Sequence, residues 1–429
     1  PISPVVAQTP AAELVNKFPH MDVLEPEKLE WMQELPPTKL PIRGIPYTAR
    51  FNFKGELMPY TTEIKTDGLY HHGEEPGRPG YTLQELVQLS RSSMLQHRVT
   101  AISTIGSIFY RASDYDSCLA RPLLPQLLDS DLFLLFRFSL DDPVRSVVSA
   151  AIAAIASVLV NPKDEGCLDR LLETATGVRQ PLFSVHLDLK PSEISELKDV
   201  QLLRVDVILG ALRINLLPRF RYILEKLKPE PVEISHIMRC LIRIARHSSE
   251  SAASISRTPG LLQVVRKLLN EKPPVACSDA LKLFRVMACY SRQVAEYLVE
   301  TYSLVEVFQR FIAGDLGETT INLALESFYT WQTLLNYHLT TSNVSMFTPV
   351  IQRLLMYYVE SINLDGARAD LAHATALINW LTTVLRINVS YAQCLIPAFQ
   401  LCALKWLSQA ETTYPLKWAD HALLGAVLQ

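Results

Sequence analysis

The sequence predicts an all-α fold: an irregular solenoid of stacked helices with an extended proline-rich N-terminal arm. Three observations carry this. Glycine is scarce, at 15 of 429 residues, roughly half its usual share of about 7%, and glycine-rich loops, barrels and phosphate-cradling turns all need more. Apolar residues recur at helical spacing from Thr82 onward. Proline is concentrated at one end, with 12 of the 27 prolines in the first 80 residues.

The proline-rich stretch 1–80 reads as an arm with a loop at its end. At most a short helix is expected within it, at Glu27–Leu35 before Pro36-Pro37, together with a strand at Thr48–Phe53. Such an arm builds no core of its own and is expected to lie along the helical body or a partner. The body is expected over 81–429, with a loop break at 162–198. Thr82 and Glu85 form a T-x-x-E capping box, and Ser93 and Gln96 an S-x-x-Q box opening the next helix. Asp142 to Leu159 is the clearest helix. Asp142 is placed to cap it, Pro143 suits the first position, and Val144, Val147, Val148, Ala151, Ile152, Ile155, Val158 and Leu159 form one stripe.

Further helices are expected near 118–128, 130–140, 200–215, 218–228, 232–248, 259–270, 276–290, 293–313, 319–340, 347–362, 367–386, 394–409 and 416–428. Paired helices with short connections imply repeats of about 40–47 residues, HEAT- or armadillo-like. Asp141-Asp142-Pro143-Val144-Arg145 looks like a HEAT-type opening. A compact all-α domain is the alternative, because no strict internal repeat is visible.

The formal net charge is −3, without the basic excess that bulk nucleic-acid binding uses. The seven cysteines include no C-x-x-C pair and read as small buried hydrophobes in a reducing compartment. Ser146–Pro162 is uncharged, but it is shorter than the roughly 20 residues of a membrane span. A soluble cytoplasmic or nuclear protein is expected. Pro1 follows no Met, so the chain reads as a segment of something longer.

No Gly-Lys, G-x-G, H-E-x-x-H or G-x-S-x-G occurs, which removes several common enzyme classes. His71-His72-Gly73-Glu74-Glu75 invites a metal or acid–base reading. The bland one is a Gly-flanked loop, because adjacent side chains seldom converge on one ion. No cofactor or metal is expected. Arg239, Arg243 and Arg246 fall on one helical face, opposite Ile234, Ile237, Leu241 and Ala245. That face is either a basic stripe for an acidic partner or a solvated surface. Arg204, Arg213, Arg219 and Arg221 would extend it. The five tryptophans read chiefly as packing residues.

The segments ARFNFKGELM (49–58) and TDGLYHHGEEPGRPGYTLQELVQLSRSSMLQHRVTAISTIGSIFYRA (66–112) closely resemble the RNA polymerase II-associated protein 1 family. That family shows an ARF-x-x-x-G entry, a GL-His-His-G-Glu turn, a GY-x-L-x-EL helix and an RS-x-x-x-Q-x-R helix. The stretches 24–31, 133–142, 216–225 and 241–251 resemble it too. Tyr70 and His97 depart from it, standing where relatives often carry His and Gln.

The resemblance implies a non-enzymatic scaffold or assembly factor for RNA polymerase II, acting in polymerase biogenesis and nuclear import. It implies contact with polymerase core subunits, together with polymerase-associated GTPases and chaperones, in nucleus and cytoplasm. A general helical adaptor in nuclear transport or a chaperone pathway is the alternative. The partner-binding candidates it implies are Arg50, Phe51, Gly55, Gly68, Leu69, His71, His72, Gly73, Glu74, Gly80, Tyr81, Leu86, Arg91, Ser92, Gln96 and Arg98. Each has a structural role available as well: Gly68, Gly73 and Gly80 as turn residues, Leu86 as core, Arg50 and Arg91 as internal ion pairs. Phe51, Tyr81 and Arg98 suit an interface if they are exposed.

Overall fold

The computed structural model describes residues 49–58, 79–115, 123–129, 131–174, 190–270, 277–313, 318–412 and 415–429. The chain divides into two compact units, 1–52 with 57–82, and 53–56 with 83–429. The expected helix at 27–35 lies outside the described residues.

In the first unit, Phe51 and Tyr81 exchange two backbone hydrogen bonds of 2.8 Å, and the Met58 amide donates to the Arg50 carbonyl at 2.8 Å. These are isolated antiparallel bridges at Phe51 rather than the expected strand over 48–53. Gly80 lets the two segments approach this closely. It has φ +91°, and a Cβ there would meet Met58 Cγ at 2.9 Å and the Phe51 carbonyl oxygen at 3.1 Å.

The second unit is helical throughout its described residues, apart from turns. It opens with α1 (Leu83–Ser90) and α2 (Leu95–Tyr115). Then come α3 (Leu123–Asp129), α4 (Leu132–Ser139), α5 (Arg145–Leu159) and α6 (Pro162–Thr174). After 190 lie α7 (Pro191–Glu196), α8 (Asp199–Val205), α9 (Val207–Arg213), α10 (Leu216–Tyr222) and α11 (Pro231–His247). Next are α12 (Ser249–Arg257), α13 (Leu261–Leu268), α14 (Cys277–Ala288), α15 (Arg292–Tyr302), α16 (Leu304–Ala313) and α17 (Glu318–Asn336). The last are α18 (Val344–Ser361), α19 (Arg368–Ile387), α20 (Ile396–Thr412) and α21 (Trp418–Val427).

One layer organises the unit. α2, α5, α11, α14, α17, α19 and α21 pack each against the next. The others form short pairs beside them, such as α12 with α13 and α15 with α16. The repeat is therefore a triplet of helices rather than a pair: α9–α10–α11, α12–α13–α14 and α15–α16–α17. This is the irregular α-solenoid that the composition predicts.

The triplets carry local punctuation. The first helix is capped by Asp206, Ser248 or Ser291, whose side chains accept from the amides of Leu209 at 3.0 Å, Ser251 at 3.1 Å and Val294 at 3.2 Å. A residue in the left-handed region then separates it from the second helix: Asn215 (φ 59°), Gly260 (φ 77°) or Ser303 (φ 49°). Asp131 (φ 57°) stands likewise before α4. A fully buried leucine follows each of them, at Leu132, Leu216, Leu261 and Leu304. The left-handed residue turns the chain sharply, and the buried leucine starts the next helix in the core. Burial of one such leucine is worth roughly 2 kcal/mol.

Several expected boundaries move for this reason. The expected helix 293–313 breaks at Ser303, and 200–215 breaks at Asp206. α12 (SESAASISR) is absent from the sequence expectation because it is poor in large apolar residues; its cap, Ser248, supplies the signal. Ser93 does not cap α2; the Ser92 hydroxyl accepts from the Met94 amide at 3.2 Å instead. α5 starts at Arg145 rather than Asp142, whose carboxylate closes a turn by accepting from the Val144 amide at 2.8 Å. α5 is also buried beyond its stripe, at Ala150, Ala154 and Ala156, because α2 and α11 cover two sides of it. Gly106 of α2 makes that approach possible, since a Cβ there would sit 3.0 Å from the Ala154 Cα.

At the C-terminal end aromatics fill the layer. Trp331 and Trp380 have ring centroids 4.8 Å apart, and Trp331 and Phe347 4.6 Å. Trp331, Trp380 and Trp406 are buried, while Trp418 is exposed. Trp31 lies outside the described residues. Among the described residues no single helix is long and apolar enough to cross a membrane.

Candidate partner-binding surface

The first candidates belong to the bridged segment. Arg50 is buried and its Nη1 donates to the Gly80 carbonyl at 3.0 Å. Phe51 is only 1% exposed, and Tyr81 is buried as well. The exposure on which an interface role for Phe51 and Tyr81 depends is therefore not met. Their rings are withdrawn from water in the unpartnered chain, and their backbones are paired with each other. Gly68, Leu69, His71, His72, Gly73 and Glu74, with the loop that invites a metal reading, lie outside the described residues.

Residues 53–56 are pinned onto α2. The Thr104 hydroxyl donates to the Phe53 carbonyl at 3.1 Å, and the Tyr115 hydroxyl to the Gly55 carbonyl at 2.9 Å. Gly55 has φ +73°, and a Cβ would lie 2.7 Å from the Ser107 Cβ, so only glycine fits against the helix. The role this geometry gives it is close approach to α2. Leu86 is fully buried in α1.

The turn between α1 and α2 is different. Arg91, Ser93, Met94, Leu95, Gln96 and His97 are all exposed. Met94 is 57% and Leu95 41% exposed, adjacent apolar side chains at a helix start. Beneath them the turn is well held. Arg98 Nη1 donates to the Ser92 carbonyl at 3.3 Å, and Nη2 reaches Asp142 at 3.2 Å. Ser92 Oγ lies 3.4 Å from His97 Nδ1, and Gln96 Nε2 donates to Thr100 Oγ1 at 3.5 Å. Arg98 is a brace and not an exposed contact. The sequence reading passes over Met94 and Leu95; a pair of apolar residues just after a polar Ser-Ser turn is the signal available for them.

The arginine face of α11 splits along its length. Arg239 is exposed, with Nε 3.7 Å from Asp279, and Arg243 is half-buried. Arg246 is buried completely, held by Glu165 and by Asp169 at 2.6 Å. Periodicity puts the three on one face as expected, but α6 covers the C-terminal end of it, so Arg246 is neither solvated nor open to a partner in this state. Burial by itself would raise the Asp169 carboxyl; the Lys282 and Arg246 charges override it and hold the group below its ordinary value. Beside it His247 Nε2 lies 3.1 Å from the buried Asp206 carboxylate. There too burial pushes upward, and the hydrogen bonds from His247 and the Leu209 amide bring the net value down.

The other arginines of the expected stripe are occupied as well. Arg204 pairs with Asp131 at 3.3 Å and Arg221 with Glu225 at 2.7 Å. Arg213 binds Asp199 at 2.8 Å and the Leu197 carbonyl at 2.6 Å. Arg219 Nε donates to the Leu140 carbonyl at 3.0 Å, and Arg137 Nε to the Ile214 carbonyl at 3.1 Å. Two stretches about 80 residues apart are thus stitched reciprocally at their helix C-termini. None of these arginines forms a continuous basic stripe.

Residues 48–113 match the family model described as RPAP1-like, C-terminal. RNA polymerase II-associated protein 1 of Bos taurus is 34% identical over 427 residues, covering 90% of this chain and 31% of that protein. The Rattus norvegicus protein of the same name is 36% identical over 391 residues, covering 81% of this chain and 28% of its own length. The chain spans under a third of these relatives. Among solved structures, a designed armadillo repeat protein aligns with 14% identity and a TM-score of 0.45, covering 70% of this chain and 99% of its own.

Proposed function

We propose, from the premise that this chain belongs to the RNA polymerase II-associated protein 1 family, that it is a non-enzymatic helical scaffold associating with RNA polymerase II. In this reading it holds polymerase core subunits during assembly and nuclear delivery. It works with polymerase-associated GTPases and chaperones and is present in cytoplasm and nucleus. The observation that carries the reading is the α1–α2 turn. It lies inside the segment that matches the family model, and it presents Met94 and Leu95 to solvent on a braced frame. Methionine and arginine at such a turn suit the centre of a protein interface, where apolar side chains are ringed by polar ones.

Capture of purified polymerase core subunits by the immobilised chain tests this. The double variant Met94→Asp/Leu95→Asp should keep the far-ultraviolet dichroism of the parent and lose at least about tenfold in capture. Undiminished capture would remove the turn as the interface. Capture of transport receptors with no polymerase would replace the reading with that of a general helical adaptor.

A further inference from the structure

α6 does not fit the repeat. It follows the layer helix α5 but is not one of the layer helices that run from α5 to α11 and α14, although it lies against both of the latter through its carboxylates. Its first two turns are strongly acidic, with Asp164, Glu165 and Asp169, and Leu168 is buried among them. Glu165 and Asp169 are one turn apart, so they share a face. Both reach the guanidinium of Arg246 on α11, and Asp169 also reaches the ammonium of Lys282 on α14.

The cationic groups belong to the scaffold, and the anionic ones belong to the extra helix. Elsewhere in the layer the balance is internal: Glu326 of α17 answers Arg285 of α14 at 2.9 Å, and Asp279 answers Arg239. At Arg246 and Lys282 the ion pairs are all with α6. The match is also incomplete, because the buried Nε–H of Arg246 finds no acceptor among the described residues. A basic cleft filled by a separate acidic helix, held through charge at neighbouring layer helices, has the form of a binding site carrying a tethered ligand. Tethering gives such a ligand a high effective concentration without requiring a tight intrinsic fit.

We propose that the cleft formed by Arg246 of α11 and Lys282 of α14 is a docking site for an acidic helical segment of a partner protein, and that α6 occupies it in cis as a displaceable strap. The chemistry that the cleft reads is two carboxylates four residues apart with an apolar residue beside the second, as Glu165, Leu168 and Asp169 supply. This site is remote in sequence from the α1–α2 turn, so its test stands apart from polymerase capture.

The test uses the full chain and a fluorescein-labelled synthetic peptide of residues 162–174, carrying Cys167→Ser to prevent disulfides. Anisotropy is read at about 0.1 M salt, where a partly buried pair is screened less than an exposed one. The strap variant Glu165→Gln/Asp169→Asn should bind the peptide at least about tenfold more tightly than the parent, and trypsin should cleave it faster after Lys163 and Arg170. Adding Lys282→Gln to the strap variant should abolish the gain while far-ultraviolet dichroism stays unchanged.

Equal peptide binding by parent and strap variant would overturn the proposal, as would a gain that survives Lys282→Gln. A strap variant that loses its helical dichroism would show α6 to be integral core and would overturn it too. A peptide of scrambled order, or an oligothymidylate of equal charge, binding as tightly as the 162–174 peptide would overturn the assignment to an acidic helix.

Discussion

Burial of polar side chains separates structural from available residues in this chain. Arg50, Arg246 and Arg285 are nearly inaccessible, and each meets a carbonyl or carboxylate. Removing one partner of such a pair leaves a buried charge, which costs about 3–5 kcal/mol. His373 is the clearest titratable case. Its Nδ1 is hydrogen-bonded with the Tyr358 hydroxyl, and burial pushes its imidazole down to about 4 from the ordinary 6.5. The folded state therefore binds fewer protons than the unfolded chain between those values. Stability from this group is complete above about pH 6.5 and declines as pH falls toward 4, by roughly 3 kcal/mol in all. Urea midpoints at pH 7 and pH 4.5 should show that decline in the parent, and His373→Gln should flatten it. A parent with equal midpoints would contradict this account of the ring. The sequence made the helical face of Arg239, Arg243 and Arg246 legible, since periodicity alone places it. It did not make the fate of Arg246 legible, because the carboxylates that bury it come from a helix about 80 residues earlier.

Among the elements, termini do most to define the repeat. Arginine and lysine side chains from one helix reach the C-terminal carbonyls of another. Arg266 donates to Tyr302 at 2.7 Å, Arg310 to Leu269, and Lys405 to Val359 at 2.7 Å. The carbonyl end of a helix carries partial negative charge and unpaired acceptors, so a cation satisfies both demands. Caps and left-handed residues then set where each helix stops. Ser291→Ala should lower stability by about 1 kcal/mol through loss of the cap. Ser303 stands in the left-handed region without glycine's freedom, so Ser303→Gly should raise stability by about 0.5–1 kcal/mol, whereas Ser303→Val should lower it by about 1–2 kcal/mol. Chemical denaturation of the three variants checks all of these. A serine and a glycine in that role look unrelated in sequence, which is why the repeat is hidden there; their common property is backbone conformation.

For the molecule as a whole, stability is expected to be graded along the layer. Among the described residues each layer helix of the second unit packs chiefly against its neighbours, so helices with two such neighbours open less readily than those at the ends. Amide exchange should be slowest in α11, α14 and α17, and faster in α1 and α21. Uniform protection across all of them would mean a single cooperative core in place of a stack. Met94 and Leu95 are exposed because the turn stands outside the packing of α2 on α5, a fact of position that hydropathy does not report.

Glycine scarcity and helical periodicity were enough for the sequence by itself to determine an all-α chain, with a solenoid preferred over a compact domain, and the motif at 49–112 was enough to point to its relatives. These are local properties, carried by spacing along the chain. Tertiary structure alone decided that the repeat is a triplet, that Phe51 and Tyr81 are buried and that an acidic helix closes over Arg246. Those outcomes depend on which surfaces meet across tens of residues, and a side chain's exposure and charge balance are set by the neighbours it acquires there.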